Sequence, residues 1–527
     1  MVKNILNSNY YFIISITGAF CILYLGLNGY VRTTTNDDIA LLNLLRANEP
    51  HTLILHYLSS LLLGELYTFL PHLQWYSIFI LFLNLFLIIV FHYFMKRYQE
   101  KIWLYGLFVV FIAINFIYFS ITALTVVYII ASLFILKRSF FLFIIFLSIA
   151  SLLRTGIVTS IIPFIFLNFL LFRPTFNKKY FLLLIPMGII LIHIFLKMQQ
   201  PYQEWYEYNT ARGTIQDYRG FNNTNDLSNS EKHILLRWYN VDTELMPNEN
   251  VISAACSRDS VYLKSLMSTS IDKLKKIFTN KDYKYILFFN IFLLLLLYAL
   301  NKSGKNLLIN ISVYFLIILS FLARDVDRVS LPLILGHSIL LFNQIQVVKG
   351  RKRFLIMILY SILVGFILFK IGKVCLNRHV NKDIYMAKQT AVLDELTYIS
   401  EKYNKILVPG IYFPGRLGIP YLQSGILFNE DGIFNANKFN ILNSGWLARH
   451  PMNLGKFSYE KLITGEILFI ISDNGFKWFD YEKSNNIFLS LYDMYYIKNS
   501  SCKHIIEKVD NTESLILLRM RLSCTSD

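Results

Sequence analysis

The chain is poor in several residue types, and each shortage excludes a class of protein. Only 5 of its 527 residues are cysteine and no CxxC spacing occurs, so neither a zinc ribbon nor a dithiol redox centre is expected. Charged residues make up 16% of the chain, with 34 acidic against 51 Lys and Arg. The positive charges fall in short links between apolar runs, which orients a membrane protein and argues against a nucleic-acid partner.

What is abundant is apolar surface. Hydrophobic residues reach 55% and the mean hydropathy is +0.46, which predicts a polytopic α-helical membrane protein. The first apolar stretch, 11–27, lacks a small-residue cleavage site, so we expect a retained signal-anchor helix. About eleven transmembrane helices are predicted, at 11–29, 73–95, 102–119, 121–136, 139–153, 156–172, 180–196, 285–300, 307–323, 331–348 and 354–372.

The links between these runs set the orientation. Lys and Arg concentrate in every second link, at 96–101, 137–138, 173–179, 302–305 and 349–353. The positive-inside rule assigns these links and the N-terminus to the cytoplasm. Residues 1–375 are thus predicted to form a transmembrane domain whose outer loops are 30–72 and 197–284. Residues 376–527 would form a separate outer domain.

Three segments on the outer side have patterns of their own. Residues 52–70 are apolar but carry His56 and Glu65, which predicts a helix on the membrane surface. Residues 261–278 have the apolar and basic faces of a second interfacial helix. The tail alternates helical and strand-like runs, typical of an α/β domain, and ends in a hairpin near residues 509–512. Cys502 and Cys524 flank this hairpin, so either a disulfide or two free thiols fits them.

The acidic pair Asp37–Asp38 is the first candidate for chemistry. It sits in a polar loop between apolar segments, where carboxylates cost solvation energy unless a positive or protic group meets them. A carboxylate beside a like charge has a raised pKa, which suits a general base. Both acids also suit the first turn of a helix beginning near Ile39. The two roles are compatible.

Arginines on the same side are candidates for binding a phosphate. Arg154 follows an apolar run, and Arg324 and Arg328 flank a short acidic loop. Guanidinium groups bind phosphate bidentately. Alternatively, Arg154 extends to the membrane surface, and the Arg324–Arg328 segment forms its own salt bridges.

Weaker candidates concern the acceptor and a metal. His51 on the outer loop, and Trp446 with Arg449 in the tail, are of types that contact saccharides. No metal ligand is assigned. A divalent metal at His51 and Asp38 is compatible with the sequence, although their spacing does not require one.

The order of these features resembles a known class. Asn36-Asp37-Asp38, then His51 through Tyr67, then Pro71 to Tyr76, look like the opening of bacterial GT-C membrane glycosyltransferases. The two large outer segments and the length resemble the serotype-converting O-antigen glucosyltransferases of enteric bacteria and their phages. The resemblance implies an undecaprenyl-phosphate sugar donor, a polysaccharide acceptor, the bacterial inner membrane and a periplasmic C-terminal domain. It assigns the base to Asp37 or Asp38.

These observations predict a glycosyltransferase that moves a hexose, with glucose preferred, to a hydroxyl of lipopolysaccharide O-antigen or a related surface polysaccharide. Two alternatives remain open. One is a polymerase or ligase that joins lipid-linked repeat units. The other is a flippase or transporter of lipid-linked sugars without chemistry, against which the spans show no halves with paired broken helices.

Overall fold

The computed structural model describes most of the chain, in two compact units. The described residues are 2–27, 36–97, 102–115, 120–172, 178–218, 220–221, 227–236, 242–256, 279, 281–301, 304–323, 327–344, 351–380, 382–409, 440–442, 449–472, 487–498 and 501–525. The first unit draws on Met1–Phe195 and Ser268–Asp383, and the second on Leu196–Met267, Ile384–Tyr421 and Gly432–Asp527. The predicted tail domain therefore shares its unit with part of loop 197–284.

Helices dominate the first unit and form part of the second. In chain order they are α1 (Val2–Leu27), α2 (Asn36–Arg46), α3 (Tyr57–Phe69), α4 (Trp75–Arg97), α5 (Ile102–Ile112), α6 (Ile121–Leu136), α7 (Phe140–Ser160), α8 (Ile162–Phe172), α9 (Leu184–Lys197), α10 (Tyr202–Tyr218), α11 (Asn229–Leu236), α12 (Asn248–Ala254), α13 (Lys281–Asn301), α14 (Gly304–Ala323), α15 (Asp327–Gln344), α16 (Arg351–Val380), α17 (Lys382–Tyr403), α18 (Tyr459–Ile463) and α19 (Ile487–Tyr492).

Several of these helices can cross a membrane. Within the described ranges, four are long and apolar enough, at Trp75–Arg97, Phe140–Ser160, Tyr180–Lys197 and Ile356–Asn377. Helices suit this role because each backbone polar group is satisfied within the segment. The chain is thus a helical membrane protein with a small C-terminal sheet. α3 is 13 residues long, and its position on the membrane surface stays a prediction.

α6 is the centre of the first unit. Every one of its residues from Ile121 to Leu136 is buried, and it packs between α7 and α15. A helix that is apolar on all sides is stable only when surrounded. α15 approaches it at Gly336, where an added Cβ would lie 2.7 Å from the Cδ1 atom of Ile130. Only a residue without a side chain allows this approach.

The boundary between α7 and α8 differs from the predicted one. α7 bends at Arg154 but continues to Ser160, and α8 begins at Ile162, so the helices meet about six residues later than predicted. Within the added turns, the Thr155 and Thr159 hydroxyls donate to carbonyls of the preceding turn, so both side chains are satisfied inside α7. The predicted interfacial helix at 261–278 lies outside the described residues.

A four-stranded sheet organises the second unit. Its strands are β1 (Ile406–Pro409), β2 (Ile467–Ser472), β3 (Cys502–Asn511) and β4 (Leu515–Cys524), in the order β1-β2-β4-β3. β1 and β2 are parallel, and the other pairs are antiparallel. The β3–β4 turn lies at 512–514, slightly after the predicted position. Cys502 and Cys524 are direct cross-strand partners and are joined by a disulfide.

A buried histidine links β3 to the helices beside it. His504 is 4% exposed, and its Nδ1 donates to Asp493 Oδ1 at 2.7 Å. The Tyr459 hydroxyl donates to the other ring nitrogen, Nε2, at 2.5 Å. Burial lowers the pKa of His504 more than the neighbouring Asp493 raises it. His504 is therefore neutral in the fold.

Replacing Gly336 by Ala should force α6 and α15 apart. Overpacking of this kind costs about 1–3 kcal/mol of unfolding free energy. The measurement is thermal unfolding of the full chain in detergent, with Gly365→Ala as the matched control, because nothing lies within 4 Å of a Cβ added there. Ile130→Ala should restore part of the loss. Equal melting temperatures for the two glycine variants would contradict the close approach.

The neutral His504 predicts that acid destabilises the second unit. The folded-state pKa is lowered, so the unfolded chain takes up a proton first as the pH falls below about 6.5. Stability should be complete at pH 8 and decline toward pH 5.5, by at most ~1.4 kcal/mol per pH unit for this one group. Thermal unfolding at both pH values measures the change. His504→Gln should remove most of the difference, whereas a gain of stability in acid would show a charged imidazole.

Candidate functional site

The candidate site in the first unit is built on α2 and α3. α2 begins at Asn36, so Asp37 and Asp38 occupy its first turn. Carboxylates there interact favourably with the positive end of the helix dipole. The side chains of residues 36–40 are outside what the structure describes, so the role of both acids stays a prediction.

α2 packs firmly on α3 through its C-terminal end. Asn48, in a left-handed conformation with φ 53°, donates from Nδ2 to Glu65 Oε1 at 3.1 Å. The Arg46 guanidinium lies 5.9 Å from the ring centre of Tyr67. Burial lowers the pKa of Arg46 and raises that of Tyr67 to about 12. Arg46 keeps its charge because its ordinary pKa is above 12, so this corner holds a half-buried cation.

The segment leading into α3 is ordered by its own polar side chains. Glu49 Oε1 accepts from the His51 backbone at 2.9 Å and lies 3.1 Å from its Nδ1. Thr52 Oγ1 accepts from the Leu55 backbone at 3.0 Å. His51 is thus 8% exposed and engaged with Glu49. The predicted acceptor contact of His51 is not tested by this geometry.

Two histidines attach α9 to the start of α3. His56 caps α3 by accepting from the Leu58 N–H on Nδ1, and its Nε2 donates to the Ile189 carbonyl at 3.0 Å. His193 accepts from the Tyr57 N–H at 3.3 Å, and the two imidazole rings stack 4.8 Å apart. These bonds require Nδ1 of His56 to be unprotonated, so the ring is held neutral.

The bend in α7 brings Arg154 to the same region. Arg154 has non-helical dihedral angles (φ −154°, ψ 90°). Ser59 of α3 donates to the nearby Leu152 carbonyl at 2.8 Å, and the Arg154 guanidinium donates to Thr122 Oγ1 of α6. The Ser59 hydroxyl of α3 therefore satisfies a backbone carbonyl at the bend. The helices α3, α6 and α7 meet around the half-buried Arg154.

Two half-buried arginines lie among these helices. The guanidinium group of Arg46 lies over the Tyr67 ring, and that of Arg154 donates to Thr122 Oγ1. Guanidinium groups bind phosphate bidentately, and a phosphate contact of Arg154 stays a prediction.

The remaining phosphate-binding candidates are Arg324 and Arg328. Arg324 is outside the described residues. Arg328 is in the first turn of α15, and its side chain is not described. The predicted role of both arginines in binding phosphate therefore stays a prediction. Among the described residues, no three His, Cys, Asp or Glu side chains come together as metal ligands, and no site for a divalent ion is assigned.

The structure describes one of the two candidate residues in the tail. Trp446 is outside the described residues. Arg449 is 2% exposed, with NH1 donating to Asn248 Oδ1 at 2.7 Å and NH2 to the Met246 carbonyl. Its guanidinium also lies 4.6 Å from the Tyr208 ring centre. Arg449 thus binds α10 and α12 to the tail within the second unit, and an acceptor contact stays a prediction.

Several residues of this site were not predicted from the sequence. Ser59, Thr122 and His193 lie in apolar runs where single polar residues carry no signal of a shared location. The residues that they contact are far away in the sequence. Ser59, for example, lies 93 residues before its partner Leu152. A polar residue on an otherwise apolar helix was the one clue available, since such groups need a partner in a membrane.

Comparisons with known proteins identify no relative. No protein-family model, curated protein or solved structure matches the chain.

The environment of Arg449 predicts a large loss of stability on its removal. Arg449→Met keeps the stem but leaves Asn248 and the Met246 carbonyl without their donor. Hydrogen bonds to a charged group contribute about 1.5–3 kcal/mol each. Limited proteolysis of the full chain should therefore cut the second unit faster. Arg521→Met is the control, because that side chain is 51% exposed. Equal cleavage rates would rule out the structural role.

Proposed function

We propose that the chain is a membrane glycosyltransferase. It would move a hexose, with glucose as the first choice, from undecaprenyl phosphate to a hydroxyl of O-antigen or a related surface polysaccharide. One observation carries the proposal. The helix that opens with Asp37 and Asp38 packs on α3, and α3 is hydrogen bonded to the bend of α7 that contains Arg154. Acids and a half-buried cation thus belong to one cluster of helices.

The proposed residues have two roles, activation of the acceptor hydroxyl and stabilisation of the leaving phosphate. Asp38, assisted by Asp37, takes the proton of the acceptor hydroxyl as its oxygen attacks the anomeric carbon. The bond from that carbon to the phosphate oxygen breaks, and the lipid phosphate leaves with its electron pair. Arg154, with Arg324 or Arg328, stabilises the negative charge that develops there. A single carboxylate acting as base fits an inverting displacement.

The architecture proposed with this function is of the GT-C type. The proposal of eleven spans is supported by the overlap in sequence between these spans and the four long and seven shorter apolar helices among the residues described. The basic links would face the cytoplasm, and α2, α3 and the second unit the periplasm. In this orientation the acidic pair meets a lipid phosphate in the outer leaflet of the inner membrane.

A transfer assay with purified protein tests the reaction. The substrates are synthetic polyprenyl-phosphate glucose and delipidated O-antigen, and mass spectrometry detects the gain of one hexose. Asp37→Asn with Asp38→Asn should lower the rate at least about 10²-fold, the usual contribution of a general base. Arg154→Lys should also lower it, because lysine cannot bind phosphate bidentately.

Matched variants separate chemistry from folding. Asp394→Asn with Glu513→Gln removes two exposed carboxylates, and Arg138→Lys changes an exposed arginine. None of these three residues has a role in the proposed reaction, so the rate should be unchanged. Normal transfer by the acidic double variant would reject the mechanism. Joining of whole lipid-linked repeats would identify a polymerase or ligase, and movement of donor across vesicles without transfer would identify a flippase.

A further inference from the structure

His337, in α15, is an ionisable side chain in an apolar bundle. It is 0% exposed, and neither ring nitrogen has a hydrogen-bond partner in the part of the chain that the structure describes. The residue lies ten positions into α15, or about 15 Å along the helix axis. Buried polar groups are nearly always hydrogen bonded, so a small ligand is expected to satisfy this imidazole.

The walls around His337 come from two other helices. Its ring centre lies 6.5 Å from that of Phe164 in α8 and 6.2 Å from that of Tyr314 in α14. The Tyr314 hydroxyl donates to the Leu287 carbonyl at 3.0 Å, so its proton is already engaged. The neighbouring Gly336 lies against Ile130 of α6, so α15 is closely packed at this level.

Asn168 supplies a second polar group one turn along α8. It follows Phe164 by four residues and therefore lies on the same helix face. Its Nδ2 donates to the Phe164 carbonyl at 2.9 Å, while Oδ1 has no partner among the described residues, and the side chain is 0% exposed. Elsewhere in the bundle, Ser338 donates to Asn290 and Asn290 to the Ile334 carbonyl, so nearby polar groups are paired.

We propose that His337 and Asn168 form a binding site for water inside the helical bundle of the first unit. A neutral imidazole offers one donor and one acceptor, and the amide oxygen offers an acceptor. The ligand must both donate and accept hydrogen bonds, be small and carry no charge, because the rings of Phe164 and Tyr314 form the walls. Water meets these requirements, and two to four polar partners are what a buried water needs. The site is independent of the proposed transfer reaction.

Radiolytic footprinting of the full chain in nanodiscs tests the site. Hydroxyl radicals formed from bound water oxidise the side chains in contact with it. His337 should be oxidised despite its burial, more than His56, which is equally buried but has both nitrogens bonded to protein. Because the same residue type is compared within one sample, intrinsic reactivity cancels. Oxidation of His337 no greater than that of His56 would overturn the proposal.

Variants test whether Asn168 shares the ligand. Asn168→Leu should reduce oxidation of His337 several-fold, whereas Asn84→Leu, at another fully buried asparagine, should leave it unchanged. Asn168→Ala replaces the leucine variant if that one does not fold. Unchanged oxidation of His337 in the Asn168 variants would overturn the two-residue site. The comparison of His337 with His56 in the wild-type protein does not depend on any variant.

Discussion

The constraint that shapes this protein is that polar groups inside a lipid-embedded bundle must find partners without bulk water. The bend at Arg154 shows the consequence most clearly. Ser59 donates to the Leu152 carbonyl beside it, and the guanidinium itself donates to Thr122. The starts of α6 and α7 are satisfied in the same manner by Ser120 and Ser139. At these three places a hydroxyl from the same or a neighbouring segment satisfies backbone or guanidinium groups, and at the start of α3 the imidazole of His56 does so.

The scarcity of acidic side chains gives the cations unusual neighbours. Arg154 donates to a hydroxyl, and Arg46 lies over a phenol ring. Arg449, in the second unit, donates to an amide and a backbone carbonyl and lies over another phenol ring. These contacts fix the position and orientation of each guanidinium group among the helices that pack around it.

Sequence reasoning anticipated the elements well and their meeting points poorly. Apolar runs predicted α4 and α16, because ~20 apolar residues with basic ends have one stable state in a bilayer. Alternation in the tail predicted β1, β2 and the hairpin. Arg154 was expected in the link between the spans 139–153 and 156–172, whereas it lies within α7, since the dihedral angles of one residue leave no trace in hydropathy. Arg449, a candidate for an acceptor contact, is buried against α10 and α12, and that contact stays a prediction.

The sequence by itself determined whether each segment lies in lipid or in water. Hydropathy and charge are sums over many residues, so a single local feature does not change them. It thereby specified a helical membrane protein with a polar, partly β-structured end. What only the tertiary structure decided was which isolated polar residues share a location. Ser59 with Leu152, His56 with His193, and His337 with Phe164 are joined by helix packing across long stretches of chain. That packing depends on the shapes of side chains such as Gly336 and Ile130, which composition and periodicity do not record.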